Sequence, residues 1–136
     1  MASSVLADSS FLVALLNERD TEHDWAAAQA IRFPPVWTTC EAALSEAFYL
    51  LGTLGMPALA ELLQEQALLC NFNVAHHVDD VVRLMKKYRN VPMSFADACL
   101  VRMSEILPNP TVLTTDSDFH VYRRHGRQTV PCITPR

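Results

Sequence analysis

The feature that most constrains the fold of this chain is the alternation of short apolar runs with longer stretches of helical periodicity along 136 residues. Strand-like runs fall at residues 5–7, 36–39, 70–74, 111–114 and 130–133. Between them lie stretches with helical spacing. The first, 11–16, follows Asp8-Ser9-Ser10, and the second, 25–31, follows Thr21-Glu22-His23-Asp24, which resembles a capping box. In 41–54, Leu44, Ala47, Phe48 and Leu51 recur on one helical face, and Gly52, Gly55 and Pro57 close the pattern before a further helix at 58–69. A basic amphipathic helix is predicted over 78–88, another over 95–106 with Ser94 as its cap, and a short one over 116–124 stopped by Gly126. Parallel neighbours need crossover connections, so strands separated by helices imply a mainly parallel sheet covered on both faces. The expected fold is a three-layer α/β/α sandwich, with residues 1–136 forming a single domain.

Half of the residues are hydrophobic and 19% are charged, which supplies one core and argues against long disorder. The N-terminus lacks a basic segment ahead of its apolar run, and no apolar run reaches the eighteen or so residues of a membrane span. A cytoplasmic protein without a membrane segment is therefore expected. Cys40, Cys70, Cys99 and Cys132 stand at wide, unpatterned intervals and read as buried free thiols. The net charge of −4 hides an asymmetry: residues 1–82 carry two basic against eleven acidic groups, and residues 83–136 nine against four. Local basic clusters at Arg83, Lys86, Lys87 and Arg89, and again at Arg123, Arg124 and Arg127, permit contact with nucleic acid, although solvated helix faces would look the same.

In an open parallel sheet, ligands bind where strands hand over to helices at their carboxyl ends. Asp8 ends the first strand and Asp116 follows the penultimate one, so acids from opposite ends of the sequence should meet at one sheet edge. Asp97 lies in the first turn of the helix opened by Ser94, and Glu46 one turn inside the helix after the second strand. Each has a plainer reading: Asp8 and Asp116 as N-caps, Asp97 as the acid of a capping box, Glu46 as a solvent-facing glutamate. Periodicity does not select Glu46 over Glu41. In combination, gathered carboxylates repel one another and persist with cations between them, and an all-oxygen set suits Mg²⁺ or Mn²⁺. No Ser/His/Asp arrangement, Gly-rich phosphate loop or HExxH offers competing chemistry, and the adjacent His76-His77 reads as a loop or helix start.

Four segments together resemble the PIN-domain nucleases, and in particular the VapC-like ribonuclease toxins of toxin–antitoxin pairs. They are Val5-Leu6-Ala7-Asp8-Ser9-Ser10, Leu44-Ser45-Glu46-Ala47, Ser94-Phe95-Ala96-Asp97-Ala98 and Leu113-Thr114-Thr115-Asp116-Ser117-Asp118-Phe119. The resemblance spans essentially the whole chain and implies a PIN-like fold. It makes Asp8, Glu46, Asp97 and Asp116 metal-binding acids, with Asp118 a possible fifth and the hydroxyls of Ser9 and Thr114 as supports. It favours Glu46 over Glu41, because Glu-Ala-Phe-Tyr-Leu-Leu looks like the family's helix, while Thr38-Thr39-Cys40-Glu41 departs from the family pattern. It also implies a Mg²⁺- or Mn²⁺-dependent endoribonuclease acting on RNA, an antitoxin partner and a homodimer.

Rival readings make specific demands. A phospho-receiver module needs an acceptor Asp after a middle strand and a Lys after a late one, and neither is evident. A haloacid-dehalogenase-type phosphatase needs Asp-x-Asp after the first strand, where Asp8-Ser9-Ser10 stands. A non-catalytic PIN-fold binding module would not need all four acids. For the nuclease, Arg123, Arg124 and Arg127 are the expected contacts to RNA phosphate, following the segment that begins at Asp116.

Overall fold

The computed structural model describes residues 2–136, and in it the apolar runs assemble into a parallel sheet. In chain order the elements are β1 (Ser4–Ala7), α1 (Ser9–Leu16), α2 (His23–Arg32), β2 (Trp37–Thr39), α3 (Glu41–Gln64), β3 (Leu68–Cys70), α4 (Val78–Lys87), α5 (Phe95–Ile106), β4 (Pro110–Leu113), β5 (Arg123–Arg124), β6 (Gln128–Thr129) and β7 (Cys132–Ile133). Single 3₁₀ turns lie at Val74–His76 and Ser117–His120. Five strands form one sheet in the order β3-β2-β1-β4-β7, each neighbouring pair parallel, while β5 and β6 make a separate antiparallel hairpin.

The period-two alternation of each strand divides the apolar residues between two cores. Leu6 of β1 and Val112 of β4, paired in register, face the side covered by α4 and α5, where they pack with Leu84, Leu100 and Phe119. Ala7 and Leu113, the next pair, face the opposite side with Phe11, Leu12, Trp37 and Leu59 from the elements around α1–α3. One helical layer on each face gives the expected three-layer sandwich. Strand order then fixes where a site can form. From central β1 the chain runs outward through β2 and β3, and later returns to β1's other side as β4, so the connections leaving β1 and β4 diverge and open a crevice at their carboxyl ends.

Several local expectations are corrected. The strand predicted at 70–74 lies earlier, at Leu68–Cys70, because the preceding helix ends at Gln64 and not near residue 69. Gln66 turns left-handed (φ 60°), and the N–H groups of Gln66 and Ala67 donate to the carbonyls of Leu63 and Leu62, a Schellman closure. No glycine marks that stop, so the sequence does not announce it. The predicted capping box at 21–24 does not form: Glu22 makes no side-chain cap, and the Asp20 carboxylate accepts from the Glu22 N–H instead. The helix predicted over 116–124 is one 3₁₀ turn followed by the β5–β6 hairpin, whose loop places His125 and Gly126 at positive φ (52° and 80°). All four cysteines are free, Cys40 and Cys99 buried and Cys70 and Cys132 half-buried.

Helix α3 also corrects the expectation of no span-length apolar segment. Its 24 residues are long and apolar enough to cross a membrane by length and composition. It is nevertheless two helices joined at Gly52 (φ 66°, ψ −166°), each shorter than a span requires. That backbone conformation is open almost only to glycine. A Cβ at residue 52 would meet no atom within 4 Å, so a substitution there tests the backbone alone. Gly52→Ala should cost about 1–3 kcal/mol, seen as a lower urea midpoint at unchanged slope. An unchanged midpoint would mean that the break is not held in this conformation.

Candidate functional site

Asp8 sits at the carboxyl end of β1, where the chain turns into α1, and it is buried with 4% of its surface exposed. Its Oδ1 accepts from the Ser9 N–H (2.8 Å), the N-cap bond that its position predicts. Its Oδ2 accepts from the hydroxyls of Ser10 (2.9 Å) and Thr114 (2.6 Å). Thr114 stands at the end of β4, so this last bond joins the two strands across the crevice. The Ser10 Oγ accepts from the Thr115 N–H (2.9 Å) and the Thr114 Oγ1 from the Asp116 N–H (2.9 Å), which fixes the chain leaving β4. The Asp116 Oδ1 in turn accepts from the Asp118 N–H (2.9 Å), capping the 3₁₀ turn.

Asp97 forms the capping box expected on α5: its backbone N–H donates to the Ser94 Oγ (3.0 Å), and its Oδ2 accepts from the Ser94 N–H (3.3 Å). The same Oδ2 accepts from the phenol of Tyr122 (3.0 Å). The plain structural role and the proximity to other acids therefore coexist in one side chain. Glu46 is exposed on α3, and its Oε1 accepts from the Ser9 hydroxyl (2.9 Å), which ties it to the residue beside Asp8. Glu41 makes no such link; its charge acts on the Cys70 thiol at the end of β3. Of the two glutamates, the structure brings Glu46 to Asp8.

Electrostatics link the aspartates. Burial pushes the Asp8 carboxyl from its ordinary 3.8 up to about 6, against the pull of its hydroxyl donors, and the charge of Asp97 adds to the rise. Burial also raises the Asp97 carboxyl, with the charge of Asp116 acting in the same direction. The Tyr122 phenol is held above its usual range by burial, then by Asp97, Asp116 and Asp118. Asp8, Asp97 and Asp116 thus lie within one another's fields as a chain of three, with Asp118 close enough to be felt at Tyr122.

Among the described residues no three His, Cys, Asp or Glu side chains converge tightly enough to hold a metal ion by themselves. The donor chemistry nonetheless fits a hard divalent cation: every group is an oxygen, and burial, with a smaller contribution from neighbouring carboxylates, raises the carboxyls of Asp8 and Asp97. Mg²⁺ in particular is commonly held by one or two carboxylates completed by water and substrate phosphate.

The arginines are differently placed. Arg123 donates to the carbonyls of His120, Val121 and Tyr122, and Arg124 to that of Ser104, so both help hold the hairpin against the fold. Arg127 is exposed in the hairpin loop and makes no ion pair among the described residues. Ser10 and Tyr122 belong to this network but were not picked out in the sequence. Ser10 carried a signal, since a second hydroxyl followed Asp8. Tyr122 carried none, because its approach to Asp97 depends on the hairpin replacing the predicted helix. His77 stacks on Phe72 and accepts from Arg102, away from the acids.

An α/β/α sandwich with acids from distant parts of the chain at the switch point of its sheet defines a class of carboxylate-lined crevice proteins. Within it the assignment is specific: a PIN-domain family model matches residues 5–124, and the chain belongs to the PIN-domain family. That family consists typically of nucleases, which usually use divalent metals. Among solved structures, the chain is similar to Mycobacterium tuberculosis VapC20, described as a sarcin-ricin-loop-cleaving toxin, with a TM-score of 0.74 and 24% identity over 87% of this chain and 94% of that one. At that identity the likeness establishes the fold. No curated protein sequence matches the chain.

The raised Asp8 carboxyl sets a pH dependence. Between its unfolded value near 3.8 and its folded value of about 6, the folded protein keeps a proton that the unfolded chain has released. Stability should therefore fall as pH rises through that window, by about 2–3 kcal/mol at about 1.4 kcal/mol per unit. In chelator, urea midpoints should drop from pH 4 to pH 7 in the wild type, while Asp8→Asn flattens the drop. A drop of equal size in the variant would assign it to other groups.

Proposed function

We propose that this chain is a Mg²⁺- or Mn²⁺-dependent endoribonuclease, the toxin of a toxin–antitoxin pair. The observation that carries the reading is the chain of three carboxylates near the carboxyl ends of β1 and β4, with Asp97 acting on Asp8 and Asp116 acting on Asp97. Glu46 joins it through Ser9. These four residues, with Asp118 at the margin, would hold the cation. A cation held there would supply activation of water and stabilisation of charge on the scissile phosphate and leaving oxygen. The chain's own residues supply the frame: Thr114 and Ser10 hold the Asp8 carboxylate in one orientation, Ser9 orients Glu46, and Tyr122 donates to Asp97 so that its other oxygen is left for the crevice. Hydrolysis is expected to leave a 5′-phosphate and a 3′-hydroxyl.

RNA as substrate is supported by membership of a family of nucleases and by the fold likeness to an RNA-cleaving toxin. The exposed, unpaired Arg127 is the best remaining contact for substrate phosphate, since Arg123 and Arg124 are committed to carbonyls. An exposed apolar face on α3, with Tyr49 84% and Leu54 97% exposed, supports a homodimer or antitoxin contact. Light scattering should report twice the 15.2 kDa chain mass; a monomer at all concentrations would leave that face to the antitoxin.

Asp8→Asn, Asp97→Asn and Asp116→Asn should each reduce RNA cleavage by about 100-fold or more, since loss of an outer-shell partner alone costs about 10–100-fold at metal sites. Asn at residue 97 can still accept from Ser94 and Tyr122, so the fold should persist. Near-wild-type cleavage by any two of these variants, or cleavage in excess chelator, would refute the site. RNA binding without cleavage under any divalent ion would favour a non-catalytic PIN module.

A further inference from the structure

A second pocket adjoins the acid cluster. It has a volume of about 200 Å³ and lies between the start of α3, the turn after β3 and the first turns of α5. Its Cys40 wall follows Thr39, whose hydroxyl donates to the carbonyl of Ala7 (2.7 Å), the residue before Asp8, and Phe95 and Cys99 line it from one face of α5, whose first turn also carries Asp97. The volume is below the 300–1,000 Å³ usual for a drug-sized ligand and suits one flat heterocycle.

Its lining is selective. Phe95 is 45% exposed, an unusual position for a large aromatic in the first turn of a helix, and it offers a face for stacking. The Glu41 carboxylate stands exposed at the rim with no hydrogen bond or ion pair among the described residues. The Asn73 amide is oriented by its Oδ1, which accepts from the Ala75 N–H (3.1 Å), so its Nδ2 remains as a donor. No lysine, arginine or histidine lines the pocket, so a phosphate would meet only the repulsion of Glu41. What fits is a neutral ring with N–H donors on one edge.

We infer that this pocket takes a single unpaired guanine of the substrate RNA, stacked on Phe95 and read by Glu41, beside the phosphate held at the acid cluster. The inference rests on the ribonuclease reading above. Guanine alone among the four RNA bases presents two adjacent N–H donors, N1–H and the 2-amino group, on its Watson–Crick edge, and these match the two oxygens of a carboxylate. Its O6, next along that edge, is an acceptor for the Asn73 amide. Recognition of unpaired bases by stacking and edge contacts is the usual mode for single-stranded RNA.

The test uses full-length protein carrying Asp97→Asn to suppress cleavage, with labelled oligouridine containing one guanosine, inosine, adenosine or cytidine. Inosine lacks only the 2-amino group. Guanosine should bind about tenfold or more tighter than inosine, as expected for a bidentate pair, and Glu41→Gln should abolish that preference. Phe95→Ala should weaken every oligonucleotide by about fivefold or more, because stacking does not discriminate bases. Equal affinity for guanosine and inosine, or a preference that survives Glu41→Gln, would overturn the inference. So would tight binding of an arginine-rich peptide that depends on Glu41 without any guanosine preference, which assigns the pocket to a protein partner. Failure of the wild type to cleave any oligonucleotide with Mg²⁺ or Mn²⁺ would count against the nuclease alone, since the titration still decides the pocket.

Discussion

The hydrogen bond from Thr114 to the buried carboxylate of Asp8 is the contact on which the crevice depends. It spans the point where β1 and β4 diverge, adjacent parallel strands whose connections leave toward opposite edges of the sheet. A carboxylate with so little access to water is unfavourable unless donors surround it. Ser9, Ser10 and Thr114 supply three, and burial still raises the Asp8 carboxyl to about 6. The fold thus keeps an anion where the neutral form would be easier to bury. An apolar residue at this place would remove the need for the hydroxyls, so their presence argues that the charge itself is what the site requires.

The same logic extends outward. Each of the three aspartates is fixed by a backbone-level device that would exist without any function: an N-cap at Asp8, a capping box at Asp97, a capped 3₁₀ turn at Asp116. These devices hold the side chains in place without long flexible linkers, so little conformational entropy remains to be lost when a cation or phosphate arrives. Tyr122 adds the reverse constraint. Its buried phenol needs an acceptor and finds it in Asp97, which anchors the segment after the 3₁₀ turn to α5 and leads it into the hairpin.

What the sequence made legible were the features carried by periodicity and by residues with one dominant local role. Strand β1 with Asp8, helix α5 with Ser94 and Asp97, and strand β4 with Thr114 were all readable, since an apolar run followed by a capping residue has few other meanings. The end of α3 was not, because Gln66 occupies a left-handed position where glycine would have flagged the stop. The β5–β6 hairpin was not, because Gly126 is equally a helix stop and a hairpin residue, and only pairing of Arg123 with Thr129 distinguishes them. The contact of Asp97 with Tyr122 was hidden for the same reason: it is set by the hairpin and not by any local pattern.

The two glutamates of α3 illustrate how position on a helix divides roles that sequence leaves merged. Five residues at roughly 100° each separate Glu41 from Glu46 by about 140° around the axis, so a single ligand between α3 and β1 cannot engage both. Glu46 turns to Ser9 and the acid cluster, whereas Glu41 turns to Cys70 and the pocket beside Phe95. A further acid in the crevice between β1 and β4 would add repulsion against any phosphate that entered it. Placed on the neighbouring face of the same helix, it would, on the function and pocket proposed above, meet a base edge and not a phosphate, so that one helix would set both the chemistry and the sequence preference.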